Sequence, residues 1–201
     1  MKKAVPHAPQ TDAAGPPRQR ILAAACELFY KHGIRSVGVE AVAEAASTNK
    51  MTLYRHFGSK DELIVAYLQQ VAEESDGRWQ NMMRAHAGDF AAQVEAWLGY
   101  VEQVVSDFGE RGCPMANAAV ELQGTEHPAL RIIEDYKARK RRQLVAMLGG
   151  AGYADPERVA DAVFLLFEGA RISRQCYSGR ESPSPRLVEM LRSLLASHKS
   201  R

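Results

Sequence analysis

Three cysteines in 201 residues, Cys26, Cys113 and Cys176, are odd in number and widely separated, which excludes a disulfide framework and a zinc site. The longest uninterrupted apolar runs are only a few residues, so neither a membrane span nor a signal peptide is expected and the predicted location is the cytoplasm. Period-two alternation is missing, which argues against a sheet. No nucleophile elbow, phosphate loop or metal-ligand spacing is present, and a pairing of Cys113 with His127 has no third group to orient it, so the chain is not expected to be an enzyme. No metal and no cofactor are expected.

What the chain does have is a helical period throughout and an uneven distribution of charge. Hydrophobic residues at 46% and charged residues at 25% are the proportions of a globular protein. Disorder is expected only in residues 1–17, where Pro6, Pro9, Pro16 and Pro17 accompany little apolar content; Lys2 and Lys3 offer that arm a loose tether to DNA. The net charge of +2 conceals a division. Residues 1–60 carry nine Lys or Arg against four Asp or Glu, a net of +5, and the remainder carries seventeen against twenty, a net of −3. A basic head on a mildly acidic body fits a nucleic-acid-binding module joined to a body that need not touch nucleic acid.

Within the head, Ile21, Leu22, Ala25, Leu28 and Phe29 place one apolar face on a helix that starts near Arg18 and stops at His32-Gly33. Val39, Val42, Ala43 and Ala46 define a second, short helix. Ser47, Thr48 and Asn49 interrupt the pattern with side chains that compete for backbone groups, and Asn49 is a good N-cap for a third helix over 50–57. Two short helices joined by about three polar residues form a helix-turn-helix. Leu53 and Phe57 anchor the third helix inward. Lys50, Thr52, Tyr54, Arg55, His56 and the following Lys60 then crowd hydroxyls, an imidazole and cations onto an outer surface for which a core helix has no use. Tyr54, His56 and Lys60 suit phosphates, and Lys50, Thr52 and Arg55 suit base edges; Asn49 borders the same face. A fourth helix opens on the capping box Ser59-Glu62 and continues to about Ala85.

Five more helices are expected, at roughly 88–107, 115–123, 127–148, 156–177 and 185–198. Asp155-Pro156 and Ser184-Pro185 each read as an N-cap followed by proline at the first helical position, and Gly149, Gly150 and Gly152 close the helix before them. The last two helices carry apolar stripes, Val159, Ala162, Val163, Leu166, Phe167 and Ala170, then Leu187, Met190, Leu191, Leu194 and Leu195. Packing helices 156–177 and 185–198 against their symmetry mates would make the homodimer that helix-turn-helix proteins need to read palindromes. Burial within one chain is the alternative.

Residues 18–65, with the segment TLYRHFGSKDEL in register, closely resemble the DNA-binding domain of the TetR family of bacterial repressors. Arg111-Gly112-Cys113-Pro114 leading into Asn117 also resembles a loop of some members. The resemblance implies an all-helical homodimer of about nine helices, with a helix-turn-helix domain at 18–62 and an effector-binding and dimerisation domain at 63–201, that releases its operator when a small molecule binds the body. It further implies DNA contacts at Thr52, Tyr54, His56 and Lys60, with Lys50 and Met51 at positions that vary with operator sequence. The chain departs from the common pattern in the turn, where Ser47-Thr48-Asn49 replaces Gly-Val-Ser. Gly38 stands where a Thr or Ser cap is usual, and Glu40 stands where a cation is frequent.

In the body, Trp97, Tyr100, Met115, Asn117, Glu121, Phe164, Phe167 and Arg171 are candidates for an effector pocket, with Phe108, Tyr136, Trp79, Met82 and Met83 as further apolar candidates. Glu121 and Arg171 are the polar anchors among them. Cys113, beside Arg111 and before a helix, is a candidate redox or electrophile sensor, whereas Cys26 and Cys176 read as small core residues. The cationic run Lys137, Arg139, Lys140, Arg141 and Arg142 reads as a solvated helix face. The expected function is a ligand-responsive, DNA-binding transcriptional regulator. A homodimeric repressor of a palindromic operator is favoured over a sequence-independent DNA-binding protein or a corepressor-dependent or activating regulator.

Overall fold

The computed structural model describes residues 15–106, 111–124, 126–177 and 182–199. The arm up to residue 14, with Lys2 and Lys3, and the candidate Phe108 lie outside the described residues. Those described form nine α-helices: α1 Pro17–His32, α2 Val39–Ala45, α3 Lys50–Phe57, α4 Lys60–Ala85, α5 Phe90–Ser106, α6 Pro114–Leu122, α7 Ala129–Gly150, α8 Pro156–Gln175 and α9 Leu187–His198. They gather into two compact units that do not divide the chain at a single point. The first takes the chain up to Glu74 together with Pro114–Glu134, and the second takes Ser75–Cys113 and Asp135 onward. Helices α4 and α7 therefore contribute residues to both.

The first unit is built around fully buried Ile21, Val42, Leu53, Leu63 and Leu68, and α6 adds Met115, which is also fully buried. Phe29 and Tyr67 meet edge to face at 5.7 Å between centroids. Each local signal works by closing an orphaned backbone group. The Asn49 side chain accepts from the Thr52 N–H at 2.9 Å, and Ser59 Oγ accepts from Glu62 N–H at 3.0 Å. After α2 the Thr48 N–H reaches back to the Ala43 carbonyl at 2.9 Å, which requires Ser47 to adopt φ +49°. Arg20 of α1 holds this turn from below: its Nε donates to the Ala46 carbonyl at 3.1 Å and its Nη2 to the Ser47 carbonyl at 3.4 Å.

The second unit has one apolar core in which α5, α7, α8 and α9 contribute Leu98, Val101, Leu148, Val159, Val163 and Leu191. Asp155 caps α8 by accepting from Arg158 N–H. Ser184 does not repeat that device. Its hydroxyl is buried and donates to the Ala170 carbonyl at 3.0 Å, Ser184–Arg186 form a 3-10 turn, and α9 begins only at Leu187. Gly149 and Gly150 stay inside α7, and Gly152, at φ +76°, makes the turn out of it.

Three expectations about the body change. Val159, Val163, Leu187, Leu191 and Leu195 are spent on the core of one chain. The apolar side chains left exposed on the last two helices are Leu165 at 69%, Ile172 at 46% and Met190 at 49%. Cys176 is exposed in the turn after α8 rather than packed. Cys26 is buried as expected, and burial, with Glu74 adding to it, pushes its thiol up to about 12, so it is inert.

The basic run of α7 is a solvated face only in part, with Arg142 exposed and the other four cations paired. Lys137 is ion-paired with Glu168, Arg139 and Lys140 share Asp76 at 2.7 and 2.8 Å, and Arg141 grips Asp161 at 2.5 and 3.0 Å. Local pattern could not show these partners, because they lie on α4 and α8, at least 20 residues away along the chain.

A non-glycine residue in the left-handed region costs about 1 to 2 kcal/mol, partly offset in glycine by its greater unfolded entropy. Ser47→Gly should therefore stabilise the protein by roughly 0.5 to 1 kcal/mol. Thermal melts of the two proteins would show it as a rise of a few degrees, and a fall would mean that the serine side chain supports the turn.

Candidate nucleic-acid interface and internal cavity

Helix α3 has eight residues, too short to persist alone in water, and only Leu53 and Phe57 are buried on it. Everything else on the helix is at least partly accessible. Met51 is 82% exposed, Tyr54 37%, and Lys50 and Arg55 are exposed as well. Such a surface presents an apolar group that suits a thymine methyl, a phenol and two cations on one short rod.

The individual groups are not equally free. Asn49 Oδ1 is engaged in the cap, leaving its amide nitrogen for outside contacts. Lys50 Nζ lies 2.5 Å from Glu40 Oε1 and 5.8 Å from the centre of the Tyr54 ring, so Glu40 neutralises a cation of the outer face. The pairing holds the Glu40 carboxyl below and the Lys50 amine above their ordinary ranges, through the hydrogen bond first. The pair is exposed, and such pairs contribute little stability, so a phosphate or guanine can displace it. His56 is half-buried and its Nε2 is buried without a partner, which leaves the rest of the ring for any contact with DNA. Lys60 opens α4 beside Asp61 and Glu121. Desolvation holds its amine below the usual lysine range, with those two carboxylates pulling the other way.

Glu121 sits in the first unit with Met115 and Asn117, and none of the three lines the cavity of the second. Its Oε2 accepts from the Arg35 N–H at 2.8 Å, and its carboxylate lies 2.8 to 3.2 Å from where a Cβ on Gly33 would stand. Gly33 is at φ +87° besides, so the turn after α1 needs glycine for both backbone and space.

The second unit encloses a cavity of about 310 Å³. From α4 its wall takes Ser75, Arg78, Trp79 and Met82, and from α5 Trp97 and Tyr100. Helix α7 contributes Tyr136, Lys140 and Leu144, and α8 contributes Phe164, Phe167, Glu168 and Arg171. Eight candidates from the sequence, Trp79, Met82, Trp97, Tyr100, Tyr136, Phe164, Phe167 and Arg171, thus meet at one place. Lys140 and Glu168 were not foreseen, because paired charges on facing helices leave no mark on either helix's apolar period. Phe167 organises the aromatic side, edge to face with Trp97 at 6.1 Å and with Tyr100 at 6.4 Å. Tyr136 hydrogen-bonds Ser75 at 3.2 Å, and burial first, then Cys113, raises its phenol well above the usual tyrosine range. Cys113 is 1% exposed, and the cation that reaches its sulfur is Lys137, with Nζ 3.3 Å from Sγ.

Among the described residues no three or more His, Cys, Asp or Glu side chains gather in a way that would hold a metal, and no helix is long and apolar enough to cross a membrane.

The pattern of the first unit is matched by a known family model. Residues 21–67 fit the bacterial regulatory proteins, tetR family. The solved structure of SCO4454, a TetR-family transcriptional regulator from Streptomyces coelicolor, superposes with a TM-score of 0.81 at 26% identity, over 92% of this chain and 96% of that one. The chain belongs to the TetR family. This is a family of transcriptional regulators rather than enzymes. Among curated relatives, the chain is 39% identical over 103 residues to the HTH-type transcriptional regulator UidR of Escherichia coli, spanning 51% of this chain and 50% of UidR. It is 32% identical over 88 residues to the HTH-type transcriptional activator FasR of Mycolicibacterium smegmatis, spanning 42% and 40%. The chain thus matches about half or less of these relatives' own lengths.

For this TetR-family chain, Glu121→Ala should leave the Arg35 amide without its acceptor and cost roughly 1 to 2 kcal/mol, with faster hydrogen exchange at that amide. Glu121→Gln, which keeps an acceptor oxygen, should retain most of the protection. Unchanged exchange in Glu121→Ala would remove the carboxylate from any part in holding the turn.

Proposed function

We propose that the protein is a DNA-binding transcriptional repressor, a homodimer that reads a palindromic operator and releases it when a small molecule enters the cavity of the second unit. The observation that carries this reading is α3, an eight-residue helix anchored by two side chains, with its remaining groups turned outward inside the family-matched segment. Asn49, Lys50, Thr52, Tyr54, Arg55, His56 and Lys60 are its DNA-facing residues. In a dimer two such helices would enter successive major grooves roughly 34 to 36 Å apart. Leu165, Ile172 and Met190 are apolar side chains of α8 and α9 that a partner chain would cover, which supports pairing through these two helices. The protein would act on DNA in the cytoplasm.

Helix α4 carries Lys60 at its start and Ser75, Arg78, Trp79 and Met82 of the cavity wall further along, so an effector touching the latter acts on the helix that carries Lys60. A coupling of about 1 to 3 kcal/mol suffices for regulation. Activation in place of repression uses the same surfaces, and FasR bears the name of an activator. The sign of the effector's influence on DNA affinity separates the two.

In vitro selection from a random duplex library, followed by footprinting and stoichiometry, should return a two-fold symmetric site protected by two chains. Failure to enrich any sequence, with tight binding to all duplexes, would replace this reading by a sequence-independent binder. On the selected site, Lys60→Ala should weaken binding to all sequences alike and flatten the dependence of log affinity on log salt by about one unit. An unchanged slope would take Lys60 out of the phosphate contacts.

A further inference from the structure

From the charges around the cavity we infer that its ligand is a small carboxylic acid with a ring-bearing apolar body, the carboxylate seated on Arg171; this rests on the reading of the cavity as the effector site. Arg171 lines the cavity and is 7% exposed. Its Nη2 donates to the Gly112 carbonyl at 2.8 Å, and its guanidinium carbon lies 5.5 Å from the centre of the Phe167 ring. Its Nε is buried with no hydrogen-bond partner. A buried donor left unmade is costly, and a buried cation without a counter-charge is more so.

The charge of Glu168 reaches Arg171, but among the described residues no carboxylate makes a direct ion pair with it. Glu168, the acidic group on the cavity wall, is taken by Lys137, and Asp76 is shared by Arg139 and Lys140. Three cations thus divide two carboxylates in direct contact, and among the described residues Arg171 has no carboxylate within hydrogen-bond reach of its own. Holding the Gly112 loop takes a single N–H, which a neutral side chain could supply, whereas Arg171 brings five donors and a permanent positive charge, so the loop alone does not account for that charge.

The rest of the wall states what accompanies the anion. Trp79, Trp97, Tyr100, Phe164 and Phe167 present ring faces and edges, and about 310 Å³ is near the lower end of the range for ligand sites, roughly 300 to 1,000 Å³. A ring against these aromatics with a carboxylate on the orphaned Nε satisfies both halves of the cavity, because charge-assisted hydrogen bonds are the strong and short ones.

The chain has two tryptophans, Trp79 and Trp97, and both are on the cavity wall, so their fluorescence reports occupancy directly. The test titrates the full chain with 4-phenylbutyrate and with its neutral amide, 4-phenylbutyramide, following tryptophan emission, and repeats the comparison with 2-naphthoate and 2-naphthamide by calorimetry. The carboxylates should bind saturably, and each amide should bind about tenfold more weakly or worse, the discrimination expected of a charged hydrogen bond. Arg171→Gln should erase the preference while leaving amide binding in place, and Arg171→Lys should keep part of it. Because the acid and amide are compared on the parent protein, the outcome does not depend on either variant folding.

Equal affinity of acid and amide, or tighter binding of the amide, overturns the anion assignment while leaving the cavity as an effector site. No saturable binding of either acid overturns it as well. Acid binding with no change in affinity for the selected DNA site keeps the anion site and removes the effector reading.

Discussion

Two buried side chains anchor α3, and that economy governs the head of the molecule. An eight-residue helix cannot sustain itself in water, and burial of Leu53 and Phe57 is worth only about 1.5 to 3 kcal/mol each. The remainder comes from fixing the ends of α3. Asn49 closes the N-terminus, the Gly58 N–H returns to the Tyr54 carbonyl at 2.7 Å, and Arg20 ties down the turn before it. With the helix held from its ends and by one narrow stripe, the rest of its surface is released from structural duty. A broader apolar face would have stabilised α3 more and left fewer positions with which to distinguish one duplex from another.

A different constraint shapes the second unit. Helix α7 brings four cations toward α4 and α8, with Lys137 and Lys140 mostly buried and Arg139 and Arg141 reaching partly into water. Carboxylates on the facing helices take them up: Asp76 for two, Glu168 for one and Asp161 for one. Breaking such partly buried sets from one side leaves an uncompensated charge, so their arrangement is self-enforcing once the helices are packed. The same arrangement fixes which charges border the cavity and which of them are already matched.

What could be read along the chain was whatever is decided within one or two turns. Helix positions, the Asn49 and Ser59 caps, the inward pair on α3 and the burial of Cys26 all depend on neighbours three or four residues away, and they stand as the periodicity indicated. Features decided across helices were misread or missed. The cationic run on α7 looked solvated because Asp76 and Glu168 are 64 and 31 residues distant from their lysines. Glu121 was grouped with pocket residues because its acceptor role toward Arg35 spans 86 positions. Ser184 resembled a cap because Ser-Pro often is one, yet its hydroxyl is claimed by the Ala170 carbonyl. The apolar stripes of α8 and α9 were real, but which side faces the core and which faces out is settled only by the packing of α5 and α7 against them.

The ion pair between Glu40 and Lys50 bears on how quickly such a protein searches a genome. Adhesion to arbitrary duplex grows with every cation available to the phosphates. On the proposed function, a DNA-facing helix whose first lysine is already matched would offer one fewer free cation to arbitrary phosphates and would cling less to each irrelevant site it samples. On that same function, a guanine edge that holds the lysine in fixed geometry displaces Glu40 more fully than a passing phosphate does, so the lysine's charge would count most at the correct sequence.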